Sequence, residues 1–178
     1  AEAALRFLLD IYEQEKDWYK AIGVAEKLET VTRRSHQKEI ANFFCELASI
    51  ELMHSLPEAA RPHLKQALAH HRLCVRANLL LGDLEIAAGR PESAIEAWKR
   101  VESQSPPFLA LVAERFYLAY KKLDRVEEGI HLLRGYLAKY PSLDMLNVVF
   151  QGMLESKGAE PAYSLVRDEL QRAPTLLG

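Results

Sequence analysis

Apolar residues return along the chain at helical spacing in short blocks, each closed by polar or turn-forming residues. Leu8, Leu9 and Tyr12 mark the first block, and Trp18, Ala21 and Leu28 the second. The spacing predicts helices, because residues three and four apart share one face of a 3.6-residue turn. Ten helices in five pairs follow: 2–14 with 17–30, 36–53 with 57–70, 74–88 with 91–103, 107–122 with 126–139, and 142–156 with 159–172. The break at Gly89-Arg90-Pro91 shows the punctuation well. Gly89 suits a helix C-cap, and Pro91 suits the first turn of the helix that follows.

The pairs repeat. In the segment 75–106, Leu81-Gly82, Ala94, Trp98 and Pro106 supply a small residue on the first helix, a small residue early in the second, an aromatic one turn later and a closing proline. Shifted forward by 35 residues, Phe116-Tyr117, Tyr120, Gly129, Leu133 and Pro141 take the equivalent places. Shifted back by 34, Leu47-Ala48 appears, followed by Pro57, Ala60, Leu64 and Ala67. The first unit is offset by 39, which places about five extra residues near Thr30 to His36. A weaker fifth unit has Ala162, Val166 and Leu170 on its second helix. This is the tetratricopeptide pattern, in which small residues let the paired helices approach. The predicted fold is all-α, a right-handed α-solenoid of about five helix pairs. It forms a single array over 1–178, with units near 2–35, 36–73, 74–106, 107–141 and 142–174, and no linker, since each pair buries its apolar face on its neighbours.

Composition agrees. Leu (28) and Ala (23), both strong helix formers, dominate, while Gly and Pro number only 8 each. A hydrophobic fraction of 49 % excludes wholesale disorder. A net charge of −2 argues against a general nucleic-acid binder. No apolar run approaches the roughly 18 residues of a membrane span. Ala1 opens the chain without an initiator methionine in what already reads as helix, so a segment of a longer protein is expected.

Candidate chemistry is sparse. His63, His70, His71 and Cys74 form the densest polar group, and His70 with Cys74 has a four-residue ligand spacing. The register, however, divides them between the end of one helix and the start of the next, where histidine is favoured by the helix dipole without a metal. Cys45, within Phe43-Phe44-Cys45, reads as a buried small hydrophobe. Glu13, Glu15 and Asp17, like Glu127 and Glu128, flank helix ends, and the stretch Arg33 to Lys38 reads as a solvated loop. No phosphate loop, dinucleotide fingerprint, metalloprotease pair or nucleophile elbow is present. The expectation is a non-enzymatic chain with no cofactor and no bound metal.

Partner binding then falls to the first helices, which line the concave side of such an array. The candidate groove residues are Arg6, Asp10, Glu13 and Gln14; Asn42, Cys45, Ser49, Leu52 and Met53; Arg76, Leu79, Asp83 and Ile86; and Leu111, Glu114, Leu118, Lys121 and Lys122. Their mix of apolar and charged groups suits a folded or helical protein partner.

The segments Ala3 to Glu29 and Lys38 to Ala48 carry a closer likeness. Tyr12, Trp18 and the run Lys20 to Glu26, followed by Ile40 to Ala48, resemble the lipopolysaccharide assembly protein B (LapB) family of Gram-negative bacteria. The resemblance implies an adaptor that restrains lipopolysaccharide synthesis by helping the membrane protease FtsH degrade the deacetylase LpxC. It also implies a parent protein with an N-terminal inner-membrane anchor, repeats facing the cytoplasm, and zinc only in a separate C-terminal module with two CxxC pairs. Two other readings stand beside it: a repeat scaffold for assembly or secretion unrelated to lipopolysaccharide, and a metal-dependent regulator using His70 and Cys74.

Overall fold

A computed structural model describes residues 1–177, with side chains through 176. Among the described residues every regular element is helical. The chain divides into two compact units, Ala1–Arg90 and Pro91–Gly178. The division falls between the two helices predicted for the third repeat.

The first unit contains α1 (Glu2–Glu15), α2 (Trp18–Thr32), α3 (Gln37–Met53), α4 (Pro57–His70) and α5 (Val75–Ala87). Each packs on its predecessor, and α3 also packs on α5. The short turns between them force antiparallel neighbours. Lys16 closes α1 in the left-handed region, its N–H bonded to the Glu13 carbonyl and the Asp17 N–H to that of Tyr12, and the Asp17 side chain then caps α2 by accepting from the Lys20 N–H at 3.3 Å. One apolar cluster joins α1, α2 and α3 through Leu9, Ala21, Ala25, Leu28, Ile40 and Phe43, with the Trp18 ring stacked on Phe43 at 5.8 Å. A second joins α3, α4 and α5. There Ala41 and Ala48 meet Ala60 and Ala67, all fully buried, so the helices approach closely where side chains are smallest.

The second unit contains α6 (Pro91–Lys99), α7 (Val101–Gln104), a 3-10 turn at Pro106–Phe108, α8 (Leu109–Lys122), α9 (Val126–Lys139), α10 (Leu143–Lys157), α11 (Ala159–Arg172) and a closing 3-10 turn at Pro174–Leu177. Here α8 packs on α6, α9 and α10, and α10 on α9 and α11. Trp98 is buried edge-on against Phe116 at 5.9 Å, and Phe116 meets Tyr136 at 5.9 Å. Two glycines set helix spacing. A Cβ on Gly129 would lie 2.8 Å from the Tyr120 Cβ, and one on Gly152 would lie 2.8 Å from the Tyr117 ring.

Most predicted helices differ from the observed ones by two residues or fewer at each end. Two details differ more. The helix predicted over 91–103 is interrupted at Arg100, whose N–H bonds the Ala97 carbonyl three residues back rather than four. The loop Arg33 to Lys38 is solvated only in part. His36 is buried, and its N–H donates to Glu29 Oε1 at 2.6 Å. Gln37 Nε2 donates to the other Glu29 oxygen at 2.7 Å, and Gln37 Oε1 meets His70 Nδ1 at 2.7 Å. The extra residues of the first repeat are therefore tied across α2, α3 and α4, and these hydrogen bonds hold the Glu29 carboxyl below its usual range, Gln37 contributing most.

Candidate protein-binding surface

In the first unit the predicted residues fall on α1, α3 and α5. Arg6 pairs with Glu2 one turn earlier at 2.9 Å, and Asp10 and Glu13 are exposed beside it. Desolvation, and then the charges of Asp10 and Glu39, push the Glu13 carboxyl above its usual value. Asn42 and Arg76, predicted separately, are brought together. Arg76 Nη1 donates to Asn42 Oδ1 at 2.6 Å and to Glu46 Oε1 at 2.8 Å, bracing α5 against α3. Leu79 and Asp83 are half-buried on α5. Cys45, offered as a groove position, does not reach solvent: it is fully buried, as its apolar context also suggested. The exposed apolar side chains of these first helices are Phe7 and Met53, at 68 % and 82 %, with Ile50 at 37 %.

In the second unit the predicted residues form one stripe along α8. Leu111, Glu114 and Leu118 succeed one another at helical spacing and end at Lys121 and Lys122, all exposed. Lys121 pairs with Glu155 of α10, which also accepts from the Tyr117 hydroxyl at 2.8 Å. The two donors lower the Glu155 carboxyl, Lys121 most, while desolvation and then that hydrogen bond raise the Tyr117 phenol to about 12. Among the described residues, the Glu114 and Lys122 side chains form no hydrogen bond or ion pair.

Arg76 and Lys121 are therefore struts between first helices as well as surface charges, a role the sequence reading missed. The available signal was their spacing. Arg76 lies 34 residues from Asn42, and Lys121 lies 34 from Glu155, one repeat period in each case. A second missed group joins α4, α5 and the turn after it. Buried Glu85 meets Arg61 Nη1 and Arg90 Nε, each at 2.6 Å, and Arg90 also meets Glu58 at 2.6 Å. Arg61, then Arg90, hold the Glu58 carboxyl down to about 2.

The structure places the possible metal ligands on other partners. His70 meets Gln37 and stacks on Phe44 at 5.6 Å, His63 meets the Tyr19 hydroxyl at 3.5 Å, and the Cys74 sulfur lies 3.9 Å from that of Cys45. Among the described residues, no three His, Cys, Asp or Glu side chains are grouped to hold a metal ion. Glu127 and Glu128 are ion-paired to Lys157 and Arg125 at 3.0 and 2.6 Å. No described helix is long and apolar enough to cross a membrane.

Each unit is an all-α stack of helix pairs with small residues at their contacts, and a family model described as a tetratricopeptide repeat matches residues 45–107. Solved structures bear out the fold. MamA superposes with a TM-score of 0.57 at 15 % identity, over 94 % of this chain and 95 % of its own. A tetratricopeptide-repeat protein of Thermus thermophilus gives 0.52 at 18 %, over 99 % and 94 %. Curated relatives are more specific. Over 97 % of its length the chain is 29 % identical to lipopolysaccharide assembly protein B of Escherichia coli K12, and over 99 % it is 30 % identical to the protein of that name from Haemophilus influenzae. It spans 44 % of the length of either relative.

Proposed function

We propose that this chain is the protein-binding repeat segment of a lipopolysaccharide-assembly adaptor, which holds partners and performs no chemistry on them. One observation carries the reading: the α8 stripe, where Leu111 and Leu118 stand 56 % and 49 % exposed beside Glu114, Lys121 and Lys122. Exposed apolar side chains set among charges suit a protein surface, because burial of the former supplies affinity and the latter supply orientation. Relatives named for lipopolysaccharide assembly, matching almost the whole chain, support the biological setting. The family resemblance extends it to particular partners: FtsH, LpxC or a membrane regulator of the two, with the parent protein anchored in the inner membrane and its repeats facing the cytoplasm.

The test is a pull-down of LpxC and FtsH on the immobilised chain. Leu111→Ser with Leu118→Ser is expected to weaken capture of at least one of them, while Glu96→Lys with Lys99→Glu, on the second helix α6, is not. Arg76 and Lys121 are poor probes, because reversing either also breaks a strut. Capture of neither protein by the unaltered chain removes the particular partners. Equal loss from both substitution sets removes the α8 stripe as the binding surface.

A further inference from the structure

Cys45 and Cys74 take no part in the surface described above. Both are free thiols and both are buried. Cys45 sits in the middle of α3, and Cys74 is the N-cap residue immediately before α5, so contact between their sulfurs links the first helices of adjacent repeats. At 3.9 Å the sulfurs touch without bonding. A disulfide holds them about 2.05 Å apart, so closure needs an approach of roughly 1.9 Å.

Their surroundings differ. Cys74 stands at a helix N-terminus, where its sulfur makes no capping hydrogen bond and its N–H bonds the His71 carbonyl at 3.0 Å. The Cys45 S–H bond toward it is the largest of the influences that lower the Cys74 thiol. That same contact, followed by burial, raises the Cys45 thiol. Cys74 retains 9 % of its exposure and Cys45 none, so a small reagent reaches Cys74 first. A thiolate near a helix N-terminus, within reach of a second thiol, is the arrangement in which oxidation is site-selective.

We propose that Cys45 and Cys74 are a redox modification site, closed to an intramolecular disulfide by hydrogen peroxide, with Cys74 attacking and Cys45 resolving. The Cys74 thiolate attacks one peroxide oxygen: an S–O bond forms, the O–O bond breaks, and the departing hydroxide takes a proton to become water. Cys45 then loses its proton and attacks the Cys74 sulfur. The S–S bond forms, the S–O bond breaks, and the hydroxyl leaves as a second water. Two thiols give up two electrons to one peroxide, and a dithiol reductant restores them. The bond would lie directly behind the Arg76 strut, since Glu46 follows Cys45 and Arg76 is two residues after Cys74. Oxidation would therefore fix α3 to the start of α5 beneath the predicted groove residues Asn42 and Arg76.

The experiment exposes the reduced full chain to hydrogen peroxide and follows it by free-thiol assay under denaturing conditions and by non-reducing peptide mapping. The expected result is loss of both thiols together, a peptide joining Cys45 to Cys74, a monomer on a non-reducing gel, and recovery with dithiothreitol. In Cys45→Ser, Cys74 is expected to stop as a sulfenic acid trapped by dimedone, whereas Cys74→Ser leaves Cys45 unmodified. Circular dichroism establishes that each variant is folded, and the unaltered chain decides the matter alone if either is not. Sulfinic acid on Cys74 with Cys45 still free, disulfides only between chains, or no reaction at a peroxide level that consumes a small-molecule thiol would each overturn the proposal.

Discussion

Adding one methyl group to Gly129 is expected to destabilise the chain, although alanine is the better helix former. Gly129 and Gly135 both lie within α9, and glycine inside a helix costs about 0.5–1 kcal/mol relative to alanine. At Gly135 the added Cβ meets nothing within 4 Å, so Gly135→Ala should gain most of that amount. At Gly129 it would stand 2.8 Å from the Tyr120 Cβ and 2.9 Å from two ring carbons, well inside the roughly 3.5–4.0 Å of favourable carbon contact. The Tyr120 Cβ is fixed to the α8 backbone and the residue is 2 % exposed, so relief requires moving α8 away from α9. Overpacking of this kind costs about 1–3 kcal/mol against a helix gain of about 0.5–1, leaving a net loss of up to about 2.5 kcal/mol. The helix gain is common to both variants, so they should differ by the overpacking cost, about 1–3 kcal/mol, or about 2–12 °C in Tm for a chain of this size. Thermal melts followed by far-UV circular dichroism read that gap directly. If Gly129→Ala melts as high as Gly135→Ala, the close approach of α8 and α9 at Tyr120 is not what the glycine provides.

Acid should weaken the chain in part through Glu85, whose carboxyl is held below its usual value: burial opposes ionisation, and pairing with Arg61 and then Arg90 overcomes it. A depressed carboxyl stabilises the fold above its unfolded value near 4.5 and loses that contribution as pH falls through the folded value. Glu85→Gln should therefore cost about 1–3 kcal/mol near neutral pH and flatten the acid limb of a urea-midpoint-against-pH curve; an unchanged limb would place the acid sensitivity elsewhere. Zinc is expected to be absent at stoichiometric level, since His70, His63 and Cys74 have other partners. Elemental analysis finding one metal per chain, lost in Cys74→Ser, would refute this.

Helix positions were readable because their signals are local. Pro57 and Pro91 open α4 and α6, Asp17 caps α2, and Gly89, at φ 77°, ends the turn after α5. The glycine and alanine positions were readable for a second reason. Gly129, Ala60 and Ala94 recur with the period, and recurrence marks where backbones approach. The interruption at Arg100 leaves no such mark, because no glycine or proline stands there and one tightened hydrogen bond produces it. The polar contacts were legible only as pairs. Arg76 and Asn42 were each placed on the right face, but their union depends on a side chain reaching across to the helix one period away. Cys45 and Cys74 fall on first helices of adjacent repeats, but their separation of 29 residues is short of the 34-residue period and did not predict contact between the sulfurs.

The struts also bear on whether the repeats are interchangeable. By its apolar residues alone, one repeat is a workable substitute for another, since small and aromatic positions recur in each. Its polar residues give it an address. Asn42 and Glu46 require a cation near the start of the next first helix, and Arg76 supplies it. One period of 35 residues later the equivalent place holds Leu111. A shuffled chain that set the α8 repeat directly after the α3 repeat would keep its oily contacts and strand the carboxylate of Glu46. Lys121 and Glu155 form a different pair, close to the C-terminal ends of their helices, so the two locks do not take each other's keys. Repeat order in this chain is thus written in charge, and a design that averaged the repeats into one consensus would erase it.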